Sequence, residues 1–224
     1  MAIALKSRAI GGSCSVGIKS WYDSHIMPRL VTAACGQEGI EERRHQIVPL
    51  AEGRVFEIGC GGGLNQALYD TEKVTSFAGI DPHAKLLDGA RKRAQAKGWD
   101  TDIRQGVGED IPFPAGSFDT VVCTYTLCSV DNPARVLAEM RRILAPGGRL
   151  LFLEHGRAPD AGVARWQERI EPLWKPLAGG CHLTRPIGTS LRAAGFAVEP
   201  LGQAYLSKAP KVMGWMEWGV ARKA

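Results

Sequence analysis

Four glycines crowd the run Glu57-Ile58-Gly59-Cys60-Gly61-Gly62-Gly63, directly after a short apolar stretch. Glycine adopts backbone angles that other residues resist, and it leaves room for a ligand to lie against the main chain. A helix starting behind such a loop would add free N–H groups and a partial positive charge, so a phosphate or a carboxylate would be held there. The spacing narrows the choice. A dinucleotide-binding Gly-x-Gly-x-x-Gly would need its last glycine at position 64 or 66, and these are Leu64 and Gln66. The run reads instead as Glu-x-Gly-x-Gly-x-Gly over positions 57, 59, 61 and 63. Further on, Asp81 closes a second apolar stretch just ahead of Pro82. A carboxylate there can accept both hydroxyl hydrogens of a ribose, or can serve as a plain helix cap. Groups able to move a proton or face an apolar ligand are Tyr22, His25, His45, His155, Trp174 and His182. His155 leads them, because it lies just past the carboxyl end of an apolar run, where pockets of open α/β sheets form.

These groups need a frame to bring them together. Arg54–Ile58, Val74–Ile80, Asp102–Gln105, Thr120–Thr124 and Arg149–Glu154 read as strands, and Trp215–Val220 as a closing one. Helical spacing falls between them. Leu86, Leu87, Ala90 and Ala94 line one side of 84–97, with Gly98 as a left-handed stop. Asn132 caps a helix that begins at Pro133 and carries Val136, Leu137, Met140, Ile143 and Leu144. Residues 1–16 carry little pattern, while 17–50 show helical spacing through Trp21, Ile26, Leu30, Ile40 and Ile47. Strands alternating with helices predict an α/β fold: a Rossmann-like, seven-stranded, mostly parallel sheet with helices on both faces. We expect a single domain over 1–224, with 1–50 as a helical N-terminal cap and 51–224 as the core.

Composition bounds the remaining possibilities. The 224 residues suffice for one sizeable core. The net charge of +5 is spread as short pairs such as Arg43-Arg44 and Arg141-Arg142, which read as solvated surface, so no nucleic-acid partner is expected. The six cysteines form no Cys-x-x-Cys pair. That favours a reduced, cytoplasmic protein without a metal site. Cys128 and Cys181 read as packing residues. No stretch reaches the roughly 18 apolar residues of a membrane span, although peripheral contact with a membrane stays open.

The Glu-x-Gly-x-Gly-x-Gly run resembles the first motif of class I S-adenosylmethionine methyltransferases. Gly108-Glu109-Asp110-Ile111-Pro112-Phe113 with Ser117-Phe118-Asp119 resembles their adenine-side segment, and Arg141–Gly148 their helix-to-strand turn. The resemblance implies S-adenosylmethionine as cofactor and S-adenosylhomocysteine as product. It places Glu57, Gly59, Cys60, Gly61, Gly63, Asp81, Pro82, Gly108, Glu109, Thr124 and Tyr22 around the cofactor. Val107 stands where many relatives hold adenine with Asp, so Gly108 and Glu109 are expected to take over that contact. Val121–Val130, Leu153-Glu154-His155 and Glu171–Leu177 with Gly180-Cys181 and Leu183-Thr184-Arg185 resemble the alkyl-thiol S-methyltransferase group. That implies a small thiol acceptor, with His25, Leu127, Trp174 and His182 near it and His155 or His45 as base. Thiols near pKa 8.5 are partly ionised at neutral pH and need little help. Phospholipid and quinone-precursor methylation are the alternatives within the class. A non-catalytic S-adenosylmethionine-binding protein is the alternative outside it.

Overall fold

In the computed structural model, residues 38–224 are described. Helix α1 (Glu38–Ile47) leads through a 3-10 turn into β1 (Gly53–Ile58). Then come β2 (Val74–Asp81), α2 (Ala84–Ala96), β3 (Asp100–Gln105), β4 (Phe118–Thr124) and α3 (Pro133–Ile143). The chain continues through β5 (Leu144–His155), α4 (Ala161–Leu177), α5 (Ile187–Ala193), β6 (Phe196–Tyr205), the short α6 (Lys211–Gly214) and β7 (Trp215–Lys223).

The seven strands form one sheet in the order β3-β2-β1-β4-β5-β7-β6. β1 to β5 pair parallel, and β7 runs antiparallel between β5 and β6. The expected seven-stranded, mostly parallel sheet is therefore present. β4 sits in the centre with β1 beside it, and the strand order reverses between these two, which opens a crevice at their carboxyl ends. Neighbouring residues along a strand feed opposite faces of the sheet. Phe56 and Val121 join Val136, Leu137 and Met140 of α3 on one face. Val55 and Val122 join Leu87, Ala90 and Ala94 of α2 on the other. Each such buried aliphatic or aromatic side chain contributes about 1.5–3 kcal/mol.

Several local expectations need correcting. No α-helix follows the glycine run: among the described residues, only a 3-10 turn at Gln66–Leu68 lies between it and β2. The loop must therefore offer its own N–H groups, without a helix dipole behind it. Arg44 is not surface; it is buried at 6% exposure. β6 went unread because Pro200 and Gly202 interrupt it. An edge position tolerates both, and the ladder shifts register between them. Asn132 does cap α3, its side chain accepting the Arg135 N–H. Tyr22 and His25, with most of the expected N-terminal cap, lie outside the described residues.

Candidate functional site

The glycine loop leaves the carboxyl end of β1 with Gly59, Gly61 and Gly63 all in the left-handed region. Their vacant Cβ positions differ. A Cβ on Gly59 would stand 2.2 Å from Thr126 Oγ1, and one on Gly63 would stand 2.8 Å from Gln66 Oε1. These two glycines let the fold close on itself. A Cβ on Gly61 would meet only Asp81 Oδ2, at 3.9 Å. Gly61 is thus the point where a ligand can approach the main chain.

Asp81, at the end of β2, fixes the loop. Its Oδ2 accepts the Gly61 N–H at 3.0 Å and its Oδ1 accepts the His83 N–H at 2.8 Å. The turn-capping role and the ligand-facing role therefore coexist, because each oxygen keeps a further lone pair. Pro82 is exposed beside it, and its carbonyl accepts from Gln105. Cys60 turns its side chain inward, close to Gly79, and burial pushes its thiol up, so only its main chain faces the loop. Gly108 packs so closely that a Cβ would stand 2.6 Å from Ile58 Cδ1. Glu109 Oε1 accepts the Asn132 N–H, and Val107 is 49% exposed next to them.

Beneath the loop lies a buried polar network that sequence reading missed. Glu57 Oε1 accepts from Asn65 at 2.8 Å and Oε2 from the Tyr69 hydroxyl at 2.8 Å. Arg44 Nη1 donates to Asn65 Oδ1 and, at 3.1 Å, to Thr124 Oγ1, which also accepts from Asn65. Burial pushes the Glu57 carboxyl up to about 7, against the hydrogen bonds and the Arg44 charge. Glu57 and Thr124, expected at the cofactor, thus hold the loop and the end of β4 from below. The signal available was Arg44 within the helical period of Ile40 and Ile47. His45, one position on, is exposed, since a helix turns about 100° per residue. That geometry speaks against His45 as a base.

The chain beyond β4 makes a tight turn. Tyr125 takes a left-handed φ of 55°, the one non-glycine to do so among the described residues. Its neighbours present their N–H groups to a fully buried carboxylate at the end of β5. Glu154 Oε1 accepts from Thr126 at 2.9 Å and Leu127 at 3.1 Å, and Oε2 accepts from Cys128 at 3.3 Å. Burial pushes Glu154 up to about 7 as well. Leu127 is core, 1% exposed and part of the same buried cluster as Phe152 and Val136, instead of on an open wall.

Residues 171–185 lie over this turn. Glu171 accepts from Thr184 at both N and Oγ1 and pairs with His182 Nδ1 at 2.8 Å. The His182 N–H donates to Cys128 O at 2.8 Å, and Arg185 donates to the carbonyls of Leu127 and Val130. His155 is buried, at 6% exposure. Its Nδ1 is 3.8 Å from Cys181 Sγ, and its Nε2 is buried with no hydrogen-bond partner, as is the Trp174 indole nitrogen. A buried imidazole nitrogen left without a partner at the carboxyl end of β5 marks a spot able to meet something else.

The methyltransferase-domain family matches residues 56–152. Human thiol S-methyltransferase TMT1B is 36% identical over 174 residues, 75% of this chain and 69% of that protein. The chain belongs to the class I S-adenosylmethionine-dependent methyltransferases. Phosphatidylethanolamine N-methyltransferase of Cereibacter sphaeroides is 33% identical over 124 residues, 53% of this chain and 60% of that protein. The crystal structure of the trans-methyltransferase CalH in complex with S-adenosylhomocysteine shares the fold, with a TM-score of 0.62 at 21% identity over 92% of this chain and 62% of that one.

As a methyltransferase of this class, the chain uses S-adenosylmethionine. The residues fit it: Gly61 leaves its approach side open, and Asp81 keeps acceptor capacity for a ribose. No helix of the described residues is long and apolar enough to cross a membrane.

Proposed function

We propose that this methyltransferase S-methylates a small thiol. The observation that carries the reading is the orphaned Nε2 of buried His155, the last residue of β5, two strands over from β1 and its glycine loop. The relationship to TMT1B, whose name states thiol S-methylation, supports the acceptor class.

When bound, S-adenosylmethionine supplies a methyl group already activated by its sulfonium. The protein has to orient a nucleophile and exclude water. The Gly59, Gly61 and Gly63 backbone and Asp81 hold the cofactor, with Gly108, Glu109 and exposed Val107 on the adenine side. Glu154 fixes the 126–128 turn beside the acceptor. With Nδ1–H directed at the Cys181 sulfur, His155 keeps Nε2 as an acceptor for the thiol proton. Trp174 and His182 line the acceptor side. Cys60, Cys123 and Cys181 form no disulfide, which suits a reduced cytoplasmic setting.

Isotope-labelled S-adenosylmethionine, offered with a panel of thiols, phenols and phosphatidylethanolamine, tests the reading. We expect label in the thioether product. Label in phosphatidylethanolamine or a phenol and in no thiol would move the acceptor to the phospholipid or quinone-precursor class. No label in any acceptor, with cofactor bound, would favour a binding protein.

A further inference from the structure

Two cysteines of the acceptor region lie together on segments that are far apart in sequence. Cys128 follows the turn after β4, and Cys181 follows α4. The backbone bond from His182 N to Cys128 O, 2.8 Å, draws the two segments side by side. That bond sets Cys128 against the backbone next to Cys181, and His155 Nδ1 lies 3.8 Å from the Cys181 sulfur. Cys181 is partly exposed, whereas Cys128 behind it is 4% exposed. An accessible thiol backed by a covered one, with an imidazole at hand, is the arrangement for thiol–disulfide exchange.

We propose that Cys181 attacks small organic disulfides and that Cys128 resolves the product, so that this pocket converts a disulfide into the thiols from which it was made. Cys181 thiolate forms a bond to one sulfur of the disulfide, the S–S bond breaks, and one thiolate leaves. Cys128 then attacks the Cys181 sulfur, its proton passing to the second departing thiolate. The small disulfide is reduced to two thiol equivalents, and the two cysteines are oxidised to one Cys128–Cys181 disulfide. A further turnover needs an external dithiol to reduce that bond.

The environment favours the first step. Cys128, followed by the His155 imidazole, holds the Cys181 thiol below the usual range despite its burial. Cys60 and Cys123 are opposite cases, pushed up by burial and shut in the core. The exchange itself does not require methyl transfer. Only its usefulness, delivery of an acceptor thiol beside the cofactor loop, rests on the function proposed above.

The test uses the full chain, freshly reduced and without cofactor, so that it is independent of the methylation assay. Excess bis(2-hydroxyethyl) disulfide is added, the reaction is quenched with acid, and cysteines are mapped by peptide mass spectrometry. We expect a linked Cys128–Cys181 peptide and release of two thiol equivalents. Cys128→Ser should stop at Cys181 carrying one hydroxyethylthio group. Cys181→Ser should leave Cys128 unmodified, with the reaction at least about tenfold slower. Modification spread evenly over the six cysteines, or an unchanged rate in Cys181→Ser, would overturn the proposal. The wild-type map alone decides the linkage, so the proposal does not depend on either variant folding well.

Discussion

Arg44 on α1 donates to Thr124 at the end of β4, 3.1 Å away and 80 residues on in the chain. Through Asn65 the same guanidinium is tied to Glu57, so the helix before the sheet is fixed to both strands that flank the crevice.

Breaking a buried ionic network leaves the other charge uncompensated. Arg44→Met should therefore cost about 3–5 kcal/mol of unfolding free energy. His45→Ala, on the exposed side of the same helix, should stay within about 0.5 kcal/mol. Urea unfolding of both variants checks this, and equal losses would remove Arg44 from the support of the site.

The glycines separate folding from binding. Gly61→Ala should cost about 1–2 kcal/mol for its left-handed backbone and should lose most of its affinity for S-adenosylhomocysteine. Gly59→Ala should lose more stability, because its Cβ would stand 2.2 Å from Thr126 Oγ1. Calorimetry and thermal unfolding of the pair report both quantities. Binding by Gly61→Ala at wild-type strength would place the ligand elsewhere.

Glu57 and Glu154 give the fold a pH signature. Both are pushed up to about 7 from an ordinary 4.5, chiefly by burial. Between these values the folded chain binds more protons than the unfolded chain. Their contribution is therefore fully present below about pH 4.5 and is lost as pH rises to about 7. Asp119 and Glu139 are lowered, through Arg54 and Arg142 respectively, and act below that window. Unfolding free energy measured from pH 5 to 7 should fall in the wild type and fall less steeply in Glu154→Gln. A slope unaffected by the substitution would contradict this.

Thiols of graded acidity test His155. If Nε2 takes the acceptor's proton, His155→Gln should slow methylation most for weakly acidic thiols and least for acidic ones. A uniform loss across the series would make His155 a positioning residue.

The sequence made the sheet legible because Val55–Ile58 and Val74–Ile80 are largely apolar runs that stop at a glycine and an acid, and Val121–Cys123 is apolar throughout. Gly61 and Asp81 were legible for the same reason: both stand where strands stop. What escaped depends on distance in the chain. Nothing near Arg44 in sequence reveals Asn65 or Thr124, and nothing near Glu154 reveals three amides of a turn some 26 to 28 residues earlier. A charged residue in a helical stretch looks solvated until its partners are known. The missing helix after Gly63 had a different cause. Gln66–Leu68 has helical residue types, but it closes only one 3-10 turn, and Tyr69 returns to extended backbone on the way to β2.

Asp81 accepts N–H groups from both the glycine loop and the start of the next turn. The loop's curvature is therefore set by the protein alone, and a ligand arriving there finds its seat already shaped. Little ordering entropy is then left to oppose capture. Association should be limited by encounter, not by loop rearrangement, and differences in affinity between the cofactor and its demethylated product should show mainly in how fast each departs.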